Sequence, residues 1–249
     1  MKSITVYASV LILLLSFPSL KAQDDAISLT LLGNVLLPVG PFGEKIGPEA
    51  QITRRFGFDY GKKVGLANTG FGMGAEIRKG VLAKNLAWVI SAKCLVNPAE
   101  ASKITSFFRE VLGDTVDISF DFGRWINIPV FTGFYYSRGF GKSLSLYGTV
   151  QTGINITRQP YRRATVAGKL VEETTFKFTP DFGFEAGFGI ELWKKYNLGV
   201  RYLNLSSPRY EGSRRLNEIF FTSIPKRVMN VDGDERPISM LMVFLGYTL

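Results

Sequence analysis

Histidine is absent from the 249-residue sequence, and cysteine occurs once, as Cys94. Without imidazole the chain lacks the commonest general base, the usual metal ligand and the Ser–His hydrolase arrangement. A single cysteine allows no disulfide within the chain. Its parity sets it beside Leu86, Trp88, Ile90 and Ala92 on an apolar face, as a small hydrophobe rather than a reactive thiol. Carboxylate clusters are equally poor in chemistry. Asp114, Asp117 and Asp121 lack the glycine and terminal glutamate of a calcium loop and read as a solvated acidic face. The expectation is a protein with no catalytic residue, no metal site and no cofactor.

Long apolar runs are missing too. The run VLILLL at 10–15 falls short of the roughly 20 residues that a membrane-spanning helix needs. It follows Lys2 and precedes SFPSLKAQ, the order of a secretory signal peptide with cleavage after Ala22. The domain organisation expected is a signal peptide at 1–22 and a single exported domain at 23–249. Negative charge is the minor sign, with 21 acidic against 30 basic residues, a net charge of +9. Such an excess can serve nucleic acid. No nucleic-acid motif accompanies it and the basic residues are scattered, so anionic lipid headgroups are the expected partner.

What the chain has in quantity is alternation. In the stretch 176–193, FKFTPDFGFEAGFGIELW, one face carries Phe176, Phe178, Pro180, Phe182, Phe184, Ala186, Phe188, Ile190 and Leu192. The other carries Lys177, Thr179, Asp181, Gly183, Glu185, Gly187, Gly189, Glu191 and Trp193. A period of two means an extended strand with unlike faces. Glycine weakens an exposed strand and packs nothing, so the glycine face suits a crowded interior. The phenylalanine face suits lipid.

Eight such segments follow one another, at 27–37, 68–78, 86–95, 125–136, 143–157, 176–193, 196–205 and 238–249. Pro129 cannot donate to a ladder, so a local pairing defect is expected there. The last segment departs from the pattern, because its inward parity (Met240, Met242, Phe244) is apolar as well. Connections alternate between short ones at 79–85, 137–142 and 193–195 and long ones at 38–67, 96–124, 158–175 and 206–237. Short periplasmic turns and long external loops are the asymmetry of bacterial outer-membrane barrels. The reading is an all-β, eight-stranded, antiparallel up-and-down transmembrane barrel in the bacterial outer membrane.

Three groups of residues follow from that reading. Tyr136, Trp193, Tyr196 and Tyr247 fall at the short-turn end, as a periplasmic aromatic girdle beside Lys79, Lys84, Arg138, Lys142, Lys194 and Lys195. Glu76, Arg78, Lys93, Glu185, Glu191 and Arg201 share the inward parity and are expected as a lumen charge network. With 193–195 as a three-residue turn, Leu192 faces Tyr196 and Arg201 faces Gly187, which puts Glu185 on a diagonal within reach of Arg201. Eight strands leave a lumen just wide enough for side chains to fill, so a plugged tube is expected. The third group lies in the long loops. Ile219, Phe220 and Phe221 form an apolar patch suited to a partner, and 104–112 (ITSFFREVL) suits a short amphipathic helix.

The order LPVGPFGEKIG, INIPVFTGFYY, SLYGTVQTGINI, FGFEAGFGIEL, LGVRYLNL and ISMLMVFLGYTL resembles the PorT-like small outer-membrane β-barrels over nearly the whole exported chain. The resemblance implies an eight-stranded barrel, in a family of diverse members of which one branch takes part in protein secretion. It brings no catalytic residues. The functional expectation is a non-enzymatic surface protein whose external loops serve binding, adhesion or assembly with secretion machinery. The alternatives are a narrow transport channel and a soluble periplasmic lipocalin-like binder.

Overall fold

The computed structural model describes residues 27–44, 51–53, 57–59, 64–81, 85–112, 117–217 and 227–249. The signal-peptide stretch, Lys84, Asp114 and the patch Ile219, Phe220, Phe221 lie outside them. In chain order the strands are β1 (Ile27–Pro38), β2 (Gln51–Thr53), β3 (Gly57–Asp59), β4 (Gly70–Gly80), β5 (Leu86–Pro98), β6 (Ile118–Phe122), β7 (Arg124–Phe140) and β8 (Leu144–Arg158). They continue with β9 (Arg162–Val166), β10 (Lys169–Phe176), β11 (Thr179–Leu192), β12 (Tyr196–Asn204), β13 (Arg209–Leu216), β14 (Arg227–Glu235) and β15 (Ser239–Thr248). Among the described residues one α-helix, α1 (Ser102–Leu112), precedes β6.

Eight of these close into an antiparallel barrel in the order β1-β15-β12-β11-β8-β7-β5-β4. They are the eight segments of the alternation, so hydrophobic parity alone placed every wall strand. β1 seals the tube by pairing with both β15 and β4. The registers foreseen at β11 and β12 hold, with Leu192 opposite Tyr196 and Gly187 opposite Arg201. At Pro129 the β5–β7 ladder skips Lys93 and Cys94 between Ala92↔Val130 and Leu95↔Asn127 without shifting register. The missing N–H interrupts the pairing on that side only, since Pro129 still sits opposite Asn155 of β8.

The faces are sorted as a membrane requires. Phe182 and Phe188 are 63% and 71% exposed, whereas Glu185 and Arg201 are fully buried. Leu31, Phe71, Met73, Phe134, Val150, Leu198 and Leu245 join the outer apolar surface, and Cys94 lies on it. A soluble lipocalin-like barrel would reverse this arrangement, and that alternative is excluded. A closed tube has no edges and satisfies its own backbone, which is what lets strands cross hydrocarbon. The protein is therefore a transmembrane β-barrel of the outer-membrane kind, with short turns at the periplasmic end.

The long connections are not plain loops. β6, β9, β10, β13 and β14 form a second, five-stranded antiparallel sheet in the order β14-β13-β10-β9-β6, at the external end. α1 packs on it through Ile104 and Phe108, the latter 5.4 Å from Phe120. One assignment changes as a result. Phe176 is not on the lipid-facing row; it ends β10, is buried, and lies 6.3 Å from the Tyr210 ring.

Candidate functional site in the lumen and the external sheet

The interior is built from glycines that make room for long side chains. A Cβ on Gly187 would stand 2.5 Å from Cγ of Arg201, and one on Gly189 would stand 2.5 Å from the Tyr147 hydroxyl. Into that space Arg201 extends across the tube. Its guanidinium donates to Glu185 at 2.8 Å, to Oε2 of Glu76 at 3.1 Å, and also to Oε1 of Glu76. The contact between Arg201 and Glu185 is the one expected from register. Lys93 donates to Glu185 at 2.8 Å and to Ser91 at 2.9 Å, and lies 4.0 Å from Glu76. Gln151 donates to the second Glu185 oxygen at 2.9 Å.

A lower tier lies toward the short turns. Arg78 reaches Glu76 and Glu191, each at 3.3 Å, and sits 4.1 Å from the Tyr135 ring centroid. The Tyr135 hydroxyl donates to Glu191 at 3.2 Å, and Tyr135 stacks on Tyr147 at 4.9 Å. All six charged residues read from parity thus meet in one network. Three cations face three anions, so the network is neutral, which is the condition under which buried charges persist. Its neutral members (Ser91, Gln151, Asn197, Tyr135) are on the same parity; their signal was inward placement rather than charge.

Above the ions the lumen turns apolar. Leu36, Leu95, Leu203, Met240 and Met242 are buried there, while Phe131, opposite Ser91, and Phe244, opposite Gly199, are buried beside the ions. The Phe244 ring lies 4.4 Å from the Arg201 guanidinium. At the external mouth the chain after β1 folds back as a 3-10 turn, Gly40–Phe42, and Phe42 is fully buried edge-on to Trp125 at 5.2 Å. Trp125 Nε1 donates to the Gly65 carbonyl at 2.7 Å, and Tyr210 hydrogen-bonds Thr157 at 3.0 Å. The tube is filled in depth: an ion tier, an apolar collar, then an aromatic stopper.

The external sheet has two faces. Its inner face buries Ile118, Phe120, Ala164 and Val171 with α1, together with an ion pair between Arg214 and Glu172 at 2.8 Å. Its outer face is polar and exposed. Arg163 pairs with Glu173 at 2.8 Å, Arg215 lies 3.9 Å from Glu173, and Thr175 hydrogen-bonds Ser213 at 3.1 Å. Partial desolvation and a hydrogen bond to Asp121 hold the Tyr161 phenol above its ordinary pKa, and the hydrogen bond to Glu173 raises Arg163. α1 is folded onto this sheet, and its Ile104 and Phe108 share one buried cluster with Val64 and Leu66.

The girdle gathers as expected. Tyr196 stands opposite Tyr247 in the ladder, with rings 5.5 Å apart, and Trp193 lies 6.2 Å from Tyr196. Tyr136 is exposed on the same rim, one residue along from the inward Tyr135. Arg138, Lys142, Lys194 and Lys195 are exposed around them. Among the described residues no cluster of three or more His, Cys, Asp or Glu has the arrangement of a metal site.

No protein-family profile matches the sequence, and no curated protein is significantly similar to it. Solved structures with a similar chain course are small outer-membrane proteins. Ail, the attachment invasion locus protein of Yersinia pestis, is 11% identical, with 91% of this chain and 100% of that chain covered and a TM-score of 0.41. OprG from Pseudomonas aeruginosa is 13% identical, covering 91% and 97% at a TM-score of 0.41. Neisserial surface protein A is 10% identical, covering 90% and 99% at 0.38. Similarity at this level concerns the fold, and no role is carried over from it.

Proposed function

We propose that the protein is a non-enzymatic outer-membrane barrel that works through its external sheet, binding a protein partner in adhesion or in assembly with secretion machinery. The carrying observation is the division of labour between the two sheets. The barrel's interior is spent on itself, with the six charges of the network engaged by one another. The outer face of the five-stranded sheet is folded, and Arg163, Thr175, Ser213 and Arg215 stand exposed on it. A rigid scaffold that presents a polar surface is a usual home for binding residues. The sequence resemblance to PorT-like barrels supports the secretion-linked version of this reading.

Photo-crosslinking in intact cells tests it. A photoreactive residue at Ser213 or Thr175, on the exposed face, is expected to capture one protein of defined mass, while the same residue at the lipid-facing Phe188 captures none. A channel would behave otherwise. Steady conductance of the purified barrel in planar bilayers, with no capture from the external face, would overturn the proposal.

A further inference from the structure

The outer surface of the barrel carries two cations that have no carboxylate partner among the described residues. Arg124 begins β7 and Arg158 ends β8, both at the external end. Their parity is that of Val130, Val150 and Ile156, which face lipid. Arg158 stands opposite Ile126 and Arg124 opposite Pro98. The two arginines therefore sit diagonally on neighbouring strands, with backbone positions roughly 7–8 Å apart. Among the described residues no carboxylate pairs with either of them. Asp121, three residues before Arg124, accepts a hydrogen bond from the Tyr161 hydroxyl at 3.1 Å. Arg158 instead lies 4.8 Å from the ring of the exposed Phe178.

Their depth is informative. Along β8 the lipid-facing residues above Leu144, which lies level with the girdle, run from Leu146 to Ile156. At about 3.3 Å per residue and a tilt near 40°, that run is roughly 25 Å tall, the height of an outer-membrane apolar band. Arg158 comes one outward position beyond it, at headgroup level. The opposite rim has aromatic residues with Lys142, Lys194 and Lys195 on its turns and one outward guanidinium on a strand, Arg138. This rim has two guanidinium groups anchored on rigid strand ends, with an aromatic ring beneath one of them. Guanidinium forks match phosphate oxygens, and their fixed geometry loses little entropy on pairing.

We propose that Arg124 and Arg158 together clamp a phosphate on the headgroup of a lipid in the external leaflet, with its acyl chains lying against Ile156, Phe178 and Phe182. This site depends on the membrane orientation of the barrel but not on the partner surface of the external sheet. The clamp would hold a phosphorylated glycolipid at one place on the wall and so fix the rotational setting of the external sheet above the membrane.

The test uses the full barrel refolded into phosphatidylcholine vesicles that contain a minor fraction of diphosphorylated lipid A. The protein is then extracted in mild detergent and retained lipid is counted by native mass spectrometry. A parallel sample uses the same glycolipid without its phosphates. Each Arg contributes a separate contact to an anionic surface, so Arg124→Gln with Arg158→Gln is expected to lower retention roughly thirtyfold. Gel mobility without boiling shows that the variant barrel is folded. A second variant, Arg138→Gln with Lys142→Gln on the periplasmic rim, is expected to retain the glycolipid as the unaltered protein does. Undiminished retention by the first variant would overturn the proposal. Equal loss in the second, or equal retention of the phosphate-free glycolipid, would do the same.

Discussion

Replacing Arg201 with Met isolates the contribution of the ion tier. Met keeps an unbranched apolar stem in the space, but removes the cation that bridges Glu76 and Glu185 and lies against the Phe244 ring. Lys93 still faces Glu185 at 2.8 Å, and Arg78 still faces Glu76 at 3.3 Å. The tier then has two cations against three anions in a space where all the central groups are buried. Removing one member of a buried pair typically costs about 3–5 kcal/mol, because the charge left behind is uncompensated. The upper half of that range is expected here, since two carboxylates lose a partner together. Glu76→Gln restores neutrality in the Arg201→Met background. The double variant should therefore be about 2 kcal/mol more stable than the two single losses would sum to. Reversible denaturant unfolding in lipid vesicles, followed by tryptophan emission and by gel mobility, measures all four corners of the cycle. Additive losses would refute the reasoning, because they would mean that the tier is wet enough to screen its members from one another.

Four further outcomes follow from the geometry. Gly187→Ala puts a Cβ 2.4 Å from the Val200 carbonyl and 2.5 Å from Arg201 Cγ, and should cost about 2–3 kcal/mol by overpacking. The same unfolding assay should register under about 0.5 kcal/mol for Gly33→Ala, whose Cβ would meet nothing within 4 Å. Trp193 and Lys194 both adopt left-handed backbone, at φ of 52° and 58°, in a turn that normally takes Asn-Gly. Lys194→Gly should raise stability by roughly 0.5–1 kcal/mol in the same measurement. Phe42→Ala removes the buried ring at the mouth and should cost about 3–5 kcal/mol. Planar-bilayer recordings of that variant should still show no steady conductance, since the ion tier lies below the stopper.

The wall of the barrel was legible because its strands alternate cleanly, and the charge network because each of its members breaks an otherwise small or neutral inward row. Arg201 and Glu185 were paired from a turn length and a ladder rule alone. The external sheet was hidden for a physical reason. RRATV, RYEGSRRL and RVMNVDGDE place charges on both faces, so no apolar period marks them as strands. Only the Ala167-Gly168 turn, with both residues at positive φ, hinted at the β9–β10 hairpin. Phe176 was misplaced because the parity of β10 continues unbroken through Lys177 into β11. Alternation tells which side a residue faces but not where one strand stops and the next begins. Arg124 and Arg158 escaped notice for a related reason: a charge at a strand end reads as the beginning of a loop.

The apolar inward row of β15, which the pattern of the other strands does not explain, makes sense once the tiers are seen together. Met242 stands opposite Arg201 on one side and Leu36 on the other, so the strand crosses the boundary between the ions and the collar. A polar row there would have admitted water from the mouth to the Arg201 guanidinium. Water would screen the attraction to Glu76 and Glu185 and compete for their hydrogen bonds. Met240, Met242 and Phe244 keep that side dry, and Phe244 offers its π face to the cation that bridges Glu76 and Glu185. A tube closed by mutual charge needs a hydrophobic lid on its charges. With the lid and the network both on the inside, the chemistry available to other molecules is confined to the external sheet and the outer rim.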